Sequence, residues 1–201
     1  LPADFAKIGV PLEERKERYE EGLEVLHAAW SGKPVEFHGK YYHLVQEALI
    51  PSLEARPPIW VAAGTPWGVR RAARYGDGLF LSSTTSPEEA RDTASRYREA
   101  CSTLGKRPWV TLSRRIWVGD RDEANAFIAA CESDFRGALQ WGQGIMPWAK
   151  ALSGKGIDTA ETKRRVFAGS ASEVADRLRE LAEFVGADYL SFKLRWRETA
   201  A

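Results

Sequence analysis

Residues 58–80 have the sequence PIWVAAGTPWGVRRAARYGDGLF, which predicts one unit of alternating secondary structure. We expect a short buried strand at 59–63, a tight turn, a basic helix at 66–75 and a second buried strand at 78–82. Thr65 is a good N-cap for this helix, and the proline after it suits the first helical turn. A strand, a helix and a strand in this order predict a parallel β-α-β unit.

The turn after the first of these strands is a candidate anion site. Free backbone N–H groups of Ala63, Gly64 and Thr65 are expected to point out of the turn, and a helix that begins directly after a strand attracts a phosphate. Gly64 permits a close approach of the backbone, and Thr65 can add a hydroxyl donor. The alternative is that Thr65 and Pro66 form only a capped helix start. We therefore expect a nucleotide-like cofactor at this turn.

Composition limits the classes to which the protein can belong. The chain has 201 residues, a net charge of +1 and 44% hydrophobic residues, which suits a globular domain of ordinary size. Acidic and basic residues are interspersed, which argues against nucleic acid as a partner. No run approaches the ~20 apolar residues of a membrane span, and no signal peptide is visible, so we expect a cytoplasmic protein without a membrane partner. Cys101 and Cys131 are expected to be buried free thiols.

The rest of the chain continues the alternation. A long helix is expected from Pro11 to Trp30, followed by a small hairpin around His38–Lys40. Two further core strands are predicted, at residues 109–118 and 187–196. Further helices are predicted at residues 86–104, 121–140 and 170–185, with a helical turn at 159–165.

Parallel strands with helices as crossovers define an α/β fold. Four strands cannot close an eight-stranded barrel, but they fit the C-terminal half of a (β/α)8 TIM barrel. An open Rossmann-type sheet is the alternative, weakened because the sequence has no G-x-G-x-x-G motif. We expect residues 1–201 to be a single α/β domain, with a hairpin insertion at about 35–44 and a lid at about 141–158 that is rich in Trp, Gly and Pro. Both ends of the chain are expected to be cuts through a larger α/β domain, because Leu1 precedes a helix and the last strand is followed by none.

Four segments resemble the luciferase-like monooxygenase family, whose members are flavin- or deazaflavin-dependent α/β barrels. They resemble the helix after the family's fourth strand, its F-x-G-x-Y-Y hairpin, its fifth and sixth strands with the phosphate turn, and the unit before its eighth strand. In chain order, the segments are residues 9–32, 35–42, 57–80 and 166–190. Each segment alone is weakly specific, whereas all four in order are a strong indication. The likeness covers nearly all of this chain but only the C-terminal part of the usual enzyme.

The resemblance implies a cofactor. In the family, the cofactor phosphate lies near the turn after the fifth strand, which corresponds here to residues 63–65. Ser82 and Ser83 follow the sixth strand at the same edge, and they are expected to help bind the phosphate or a deazaflavin tail. The alternative is a polar loop that leads into the helix capped by Ser86. FMN is the expected cofactor, with the deazaflavin coenzyme F(420) as the alternative.

Charged residues in two later strands are further candidates for binding an anionic substrate or cofactor. Arg114 lies inside an apolar strand, and Lys193 and Arg195 share one parity of the last strand, opposite its apolar residues. The alternative is a ladder of ion pairs at an edge strand. The three histidines lack the spacing of metal ligands, so no metal is expected, and the sequence names no catalytic acid or base.

The resemblance implies an oxidoreductase that uses reduced flavin for monooxygenation of a small organic substrate. Hydride transfer with coenzyme F(420) is the first alternative, and a non-catalytic flavin-binding protein or a truncated fragment is the second. A separate flavin reductase would be the partner that supplies reduced flavin. We also expect a homo-oligomer, because an open parallel sheet leaves edges that need cover.

Overall fold

The computed structural model describes residues 2–46, 56–142 and 158–194, and it divides the chain into a smaller unit, Leu1–Ile59, and a larger one, Trp60–Ala201. The smaller unit is helical with one hairpin, and the larger unit contains the parallel sheet. That the whole chain is one α/β domain remains a prediction. Residues 143–157, which include most of the expected lid, and Arg195 lie outside the described residues.

Among its described residues, the smaller unit contains two α-helices and a hairpin. Helix α1 spans Pro2–Lys7, and a short 3-10 helix at Leu12–Glu14 leads into α2 at Arg15–Ala29. The long helix expected from Pro11 therefore becomes α-helical only at Arg15, and α1 was not predicted. Strands β1, Val35–His38, and β2, His43–Gln46, pair antiparallel and confirm the hairpin.

Two glutamates of α2 hold the turn of the hairpin. The Glu21 carboxylate accepts the backbone N–H groups of Tyr42 at 2.7 Å, Tyr41 at 2.8 Å and Lys40 at 3.2 Å. Glu17 accepts the Tyr41 hydroxyl at 2.6 Å and the Lys40 ammonium at 2.8 Å. The hydrogen bonds from Lys40 and Tyr41 lower the pKa of Glu17. Desolvation raises the pKa of Glu21, but the three backbone donors outweigh it, so that its pKa is lowered as well.

Acidification is expected to release this turn from α2. A carboxylate whose pKa is lowered by folding contributes stability that is present above its unfolded pKa, about 4.3 for Glu, and is lost as the pH falls through its folded pKa. The backbone amide resonances of residues 40–42 should therefore move together in an NMR titration toward low pH. Glu21→Gln should weaken the contact between α2 and the turn at neutral pH, and it should remove most of the pH-dependent change in these resonances. Glu20→Gln on the same helix is the control. An unaltered pH-dependent change in Glu21→Gln would show that Glu21 does not hold the turn.

The larger unit alternates strands and helices, with five strands and five helices among its described residues. The strands are β3 Trp60–Ala62, β4 Gly78–Leu81, β5 Val110–Val118, β6 Val166–Gly169 and β7 Tyr189–Leu194. The helices are α3 Pro66–Tyr75, α4 Pro87–Thr103, α5 Arg121–Gly142, α6 Thr159–Arg165 and α7 Ala171–Val185. Every predicted strand and helix of this unit is present.

Strand β5 is the centre of the sheet. It pairs with β4 through residues 110–112, with β7 through 111–116 and with β6 through 115–118, while β3 pairs with β4, and all of these pairs are parallel. Because β4 and β7 both pair with residues 111 and 112, they lie on opposite edges of β5. The order of these strands across the sheet is thus β3-β4-β5-β7, and they are the four predicted core strands.

The expectation of only four strands in the sheet was wrong, because β6 is a fifth. Strand β6 pairs with the last four residues of β5, on the edge that β4 occupies earlier along β5. Its four residues follow α6 directly, without the loop that usually signals a new strand. Val166 of β6 packs on α5, where it forms a buried cluster with Phe127, Ile128, Cys131 and Phe135.

The two faces of the sheet differ in chemistry. Paired residues of parallel strands share a face, and Val61, Leu79 and Val110 form one fully buried row. A Cβ on Gly76, at the end of α3, would lie 3.0 Å from Val61, so this row faces α3, and we call its side of the sheet the helix-facing side. At the far end of β5, Arg115 and its partner Val166 lie on the other side and contact α5. The opposite side carries the row Ala62, Phe80, Thr111 and Tyr189.

Candidate functional site

The carboxyl ends of β3 and β4 emerge at one edge of the sheet. Ala62 pairs with Phe80, so residues 63–65 and residues 82–85 follow their strands at nearly the same level. Ligands of parallel α/β sheets bind at the carboxyl ends of the strands. This edge is therefore where the sequence-predicted cofactor residues come together.

Helix α3 begins as the sequence predicts. Thr65 is its N-cap, with φ −96° and ψ 154°, and its hydroxyl oxygen accepts the backbone N–H of Gly68 at 3.1 Å. Pro66 is at the first helical position. The hydroxyl hydrogen of Thr65 remains available for donation to a ligand.

The turn before α3 is open. Among the described residues, the backbone N–H groups of Gly64 and Thr65 have no hydrogen-bond acceptor. A Cβ built on exposed Gly64 would meet no atom within 4 Å. Two unpaired amides at a helix N-terminus, with free space in front of them, suit a phosphate group.

Two later strand-to-helix turns differ from this one. At α4, the Glu89 carboxylate accepts the backbone N–H of Ser86 at 3.0 Å, and at α7 Glu173 accepts that of Ser170 at 2.8 Å. Both are capping boxes, in which the third helical residue closes the N-cap. The corresponding residue of α3 is Gly68, which has no side chain. The N–H of Thr65 therefore stays open, whereas those of the other two N-caps are taken.

The two serines after β4 have different environments. Ser82 is exposed, its hydroxyl lies 3.0 Å from that of Thr84, and its carbonyl accepts the N–H of Thr85 at 3.1 Å. Ser83 is 1% exposed, and its hydroxyl has no partner among the described residues. Ser82 is thus presented at the open edge, while Ser83 points into the protein.

The candidate anion residues of β5 and β7 do not form one group. Arg114 is fully buried and shares the parity of Val110 and Leu112, which places it on the helix-facing side. Lys193 is exposed and pairs with Arg115, which lies on the opposite side and donates to Asp134 at 2.8 Å. Arg195 is outside the described residues.

Arg165 was missed at the sequence level. It lies 2% exposed at the end of α6, donates from Nε to the Thr84 carbonyl at 2.7 Å and from Nη1 to the Glu161 carbonyl at 3.1 Å, and forms an ion pair with the Glu161 carboxylate. Arg114 Nη1 lies 3.5 Å from the Ser82 carbonyl. Two buried guanidinium groups thus approach the loop on either side of Ser83. The run Lys163–Arg165 signals a basic helix end, but only tertiary structure selects which of its residues is buried.

Other chemistry in the described residues is sparse. Cys101 and Cys131 are buried free thiols, as predicted, and burial raises the pKa of the Cys101 thiol. Within residues 2–46, 56–142 and 158–194, no three His, Cys, Asp or Glu side chains are grouped as metal ligands. In the same ranges, no helix has the length and apolar character needed to cross a bilayer.

Comparisons with known proteins agree on one family. The sequence profile described as luciferase-like monooxygenase matches residues 1–188. An F(420)-dependent glucose-6-phosphate dehydrogenase from Nocardia farcinica is 40% identical over 70 residues, which are 35% of this chain and 21% of that protein. Its counterpart from Tsukamurella paurometabola is 36% identical over 106 residues, 52% of this chain and 31% of that protein.

Solved structures agree on the fold. EDTA monooxygenase from Chelativorans sp. BNC1 superposes with a TM-score of 0.73 at 21% identity, over 100% of this chain and 60% of that one. An F(420)-dependent secondary alcohol dehydrogenase, solved with an F(420)–acetone adduct, gives 0.73 at 21% identity, over 91% and 57%. The chain therefore spans less than two thirds of these relatives. Its parallel sheet is the TIM-barrel type of this family, and the Rossmann alternative is wrong.

Proposed function

The chain belongs to the luciferase-like monooxygenase family, and from that premise we propose that residues 63–65 hold the phosphate of a flavin-type redox cofactor. One observation carries the proposal: among the described residues the Gly64 and Thr65 amides have no acceptor, and Gly68 cannot close a capping box on Thr65. Ser82 is exposed at the same edge and can donate its hydroxyl to the phosphate or to the cofactor tail. The protein acts as an oxidoreductase on a small organic substrate.

This chain's residues bind and orient the cofactor. Backbone donors hold a phosphate without a charged side chain, and the short distance from strand end to helix start fixes its position against the sheet. The opposite side of the sheet, with Phe80, Thr111 and Tyr189, offers apolar and hydroxyl groups beside that position. A bound reduced flavin supplies oxygen activation, and a bound deazaflavin supplies a hydride.

Two cofactors fit the proposal. Reduced FMN with monooxygenation is the form suggested by the name of the family and by EDTA monooxygenase, which shares the fold. Coenzyme F(420) with hydride transfer is favoured by a specific observation, because both curated relatives described above are F(420)-dependent dehydrogenases. Both cofactors carry a phosphate, so the same turn serves either.

Titration of the purified protein with FMN and with F(420) tests the proposal. We expect one of them to bind with a dissociation constant well below a millimolar. A millimolar dissociation constant corresponds to a binding free energy of about −4 kcal/mol, which is too weak for a resident cofactor. The cofactor that binds more tightly identifies the reaction class. Turnover of the bound, reduced cofactor with consumption of a substrate would exclude a purely flavin-binding protein. Failure of both to bind would overturn the proposal.

We further propose a cytoplasmic homo-oligomer that receives reduced flavin from a separate reductase when FMN is the cofactor. The apolar side chains of β7 support the oligomer, since Tyr189 is 48%, Phe192 46% and Leu194 65% exposed. Light scattering of the purified protein measures the oligomeric state.

A further inference from the structure

Arg114 is a buried cation with an unused hydrogen-bonding edge. Its side chain is 0% exposed in the middle of β5. Nη1 donates to the Ser113 carbonyl at 2.7 Å and lies 3.5 Å from the Ser82 carbonyl. Nε and Nη2 have no acceptor among the described residues, and no carboxylate of those residues forms an ion pair with Arg114.

The two unused atoms are adjacent. Nε–H and Nη2–H form the side-on edge of a guanidinium, whose parallel donors match two oxygens of a phosphate, a sulfate or a carboxylate. A halide would use this edge less well, because it offers one acceptor centre. The free edge therefore indicates an oxyanion.

A second cation and two unpartnered hydroxyl groups lie on the elements next to Arg114. Ser83 lies two register steps beyond Leu81 and Leu112, the last paired residues of β4 and β5, which places it opposite Arg114, and its hydroxyl is buried without a partner among the described residues. Arg165 donates to the carbonyl of the next residue, Thr84, and its positive charge is close enough to lower the pKa of Arg114. One turn earlier on α6, the buried Thr162 hydroxyl also lacks a partner.

Charge balance favours an anion here. Burial, and then the charge of Arg165, lower the pKa of Arg114 to about 10, so the side chain stays protonated at neutral pH. Arg165 has the Glu161 carboxylate as a counter-ion, whereas Arg114 has none among the described residues. An unpaired charge in the interior is costly, and an anion with two acceptor oxygens offsets that cost.

We propose that Arg114 and Ser83 bind a tetrahedral oxyanion, a phosphate or a phosphoryl group, on the helix-facing side of the sheet beneath the loop at residues 82–85. Arg114 grips two oxygens through Nε and Nη2, and Ser83 donates its hydroxyl to the anion. This site goes beyond the proposed function, which rests on the backbone amides of residues 64 and 65.

Inorganic phosphate is the probe. The purified protein is titrated by calorimetry at constant ionic strength, with chloride as the balancing ion. Arg114→Met is expected to weaken phosphate binding by about 30-fold or more, since it removes the charge and both hydrogen-bond donors. Arg114→Lys keeps the charge but loses the paired donors, and about tenfold weakening is expected. Ser83→Ala should weaken binding by about fivefold. Arg115→Lys, on the next residue of the same strand, is the matched control and should bind as the wild type does.

The outcomes separate the alternatives. Equal phosphate affinity in wild type, Arg114→Lys and Ser83→Ala overturns the site, and so does the absence of phosphate binding to the wild type at tens of millimolar. If Arg114→Met does not fold, Arg114→Lys and Ser83→Ala decide. Competition between FMN and phosphate that is lost in Arg114→Lys identifies a cofactor phosphoryl group as the occupant, and phosphate binding that depends on Arg114 but is independent of FMN identifies free phosphate. Phosphate binding that persists when neither FMN nor F(420) binds would support this site while the proposed function fails.

Discussion

Replacing Gly64 with aspartate is expected to weaken the binding of FMN or F(420) by about 30- to 100-fold, the largest effect of any change at the proposed cofactor turn. The new carboxylate would stand beside the two amides that receive the phosphate. Two like charges about 5 Å apart at the protein surface repel by about 1–3 kcal/mol, and a phosphate carries more than one charge. The expected change is therefore in affinity, measured by the same titrations with both cofactors.

The variant is well suited to the purpose because the fold should tolerate it. The Gly64 backbone does not adopt a positive φ, and a Cβ there meets no atom within 4 Å. The thermal midpoint should consequently change little. Gly137→Asp is the matched control, since Gly137 is exposed on α5 and a Cβ there also meets nothing within 4 Å. Wild-type affinity in Gly64→Asp would show that the phosphate lies elsewhere.

Local sequence signals predicted most of the larger unit. Helix α3 spans Pro66–Tyr75 as expected, because a threonine N-cap, a proline at the first position and a glycine stop all act within the twelve residues 65–76. The capping boxes at Ser86 and Ser170 fixed the starts of α4 and α7 in the same way. Short apolar strands between these helices then required a parallel sheet.

Features that depend on tertiary pairing escaped prediction. Strand β6 has four residues, and it is a strand only because the last part of β5 extends beyond β4 and offers a free edge. Helix α1 has six residues and buries none of them, so it leaves little hydrophobic pattern. Neither the pairing nor the register of a strand is encoded within so few residues.

The candidate site also combines features that the local sequence predicts with features that only tertiary structure creates. The turn at residues 63–65 follows from sequence alone, since strand end, N-cap and helix start are contiguous. Arg114 and Lys193 lie on opposite sides of the sheet. The sequence carries the reason for Arg114, which shares its parity with the apolar residues Val110, Leu112 and Ile116 of its strand. Arg165 meets the loop after β4 from a helix 81 positions along the chain, a contact that no local pattern encodes.

Phe135→Ala is expected to lower the free energy of unfolding by about 3–5 kcal/mol. Phe135 is fully buried on α5 between β6 and the extension of β5, in the cluster with Phe127, Ile128 and Val166. The Arg115 guanidinium lies 4.8 Å from the centre of its ring. Truncation leaves a cavity in the contact that joins α5 to the strand missed by prediction, and the rigid backbone on both sides limits its collapse. Urea unfolding followed by tryptophan fluorescence measures the loss.

Phe184→Ala provides the comparison, because Phe184 is the same residue type on α7 and is 43% exposed. Its removal should cost about 1 kcal/mol or less, since water already reaches much of the ring. A loss in Phe135→Ala no larger than in Phe184→Ala would mean that α5 does not pack on β5 and β6 in solution. A loss confined to Phe135→Ala, with cofactor affinity unchanged, would show that this cluster stabilises the sheet extension and that the turn at residues 63–65 is held independently by β3 and α3.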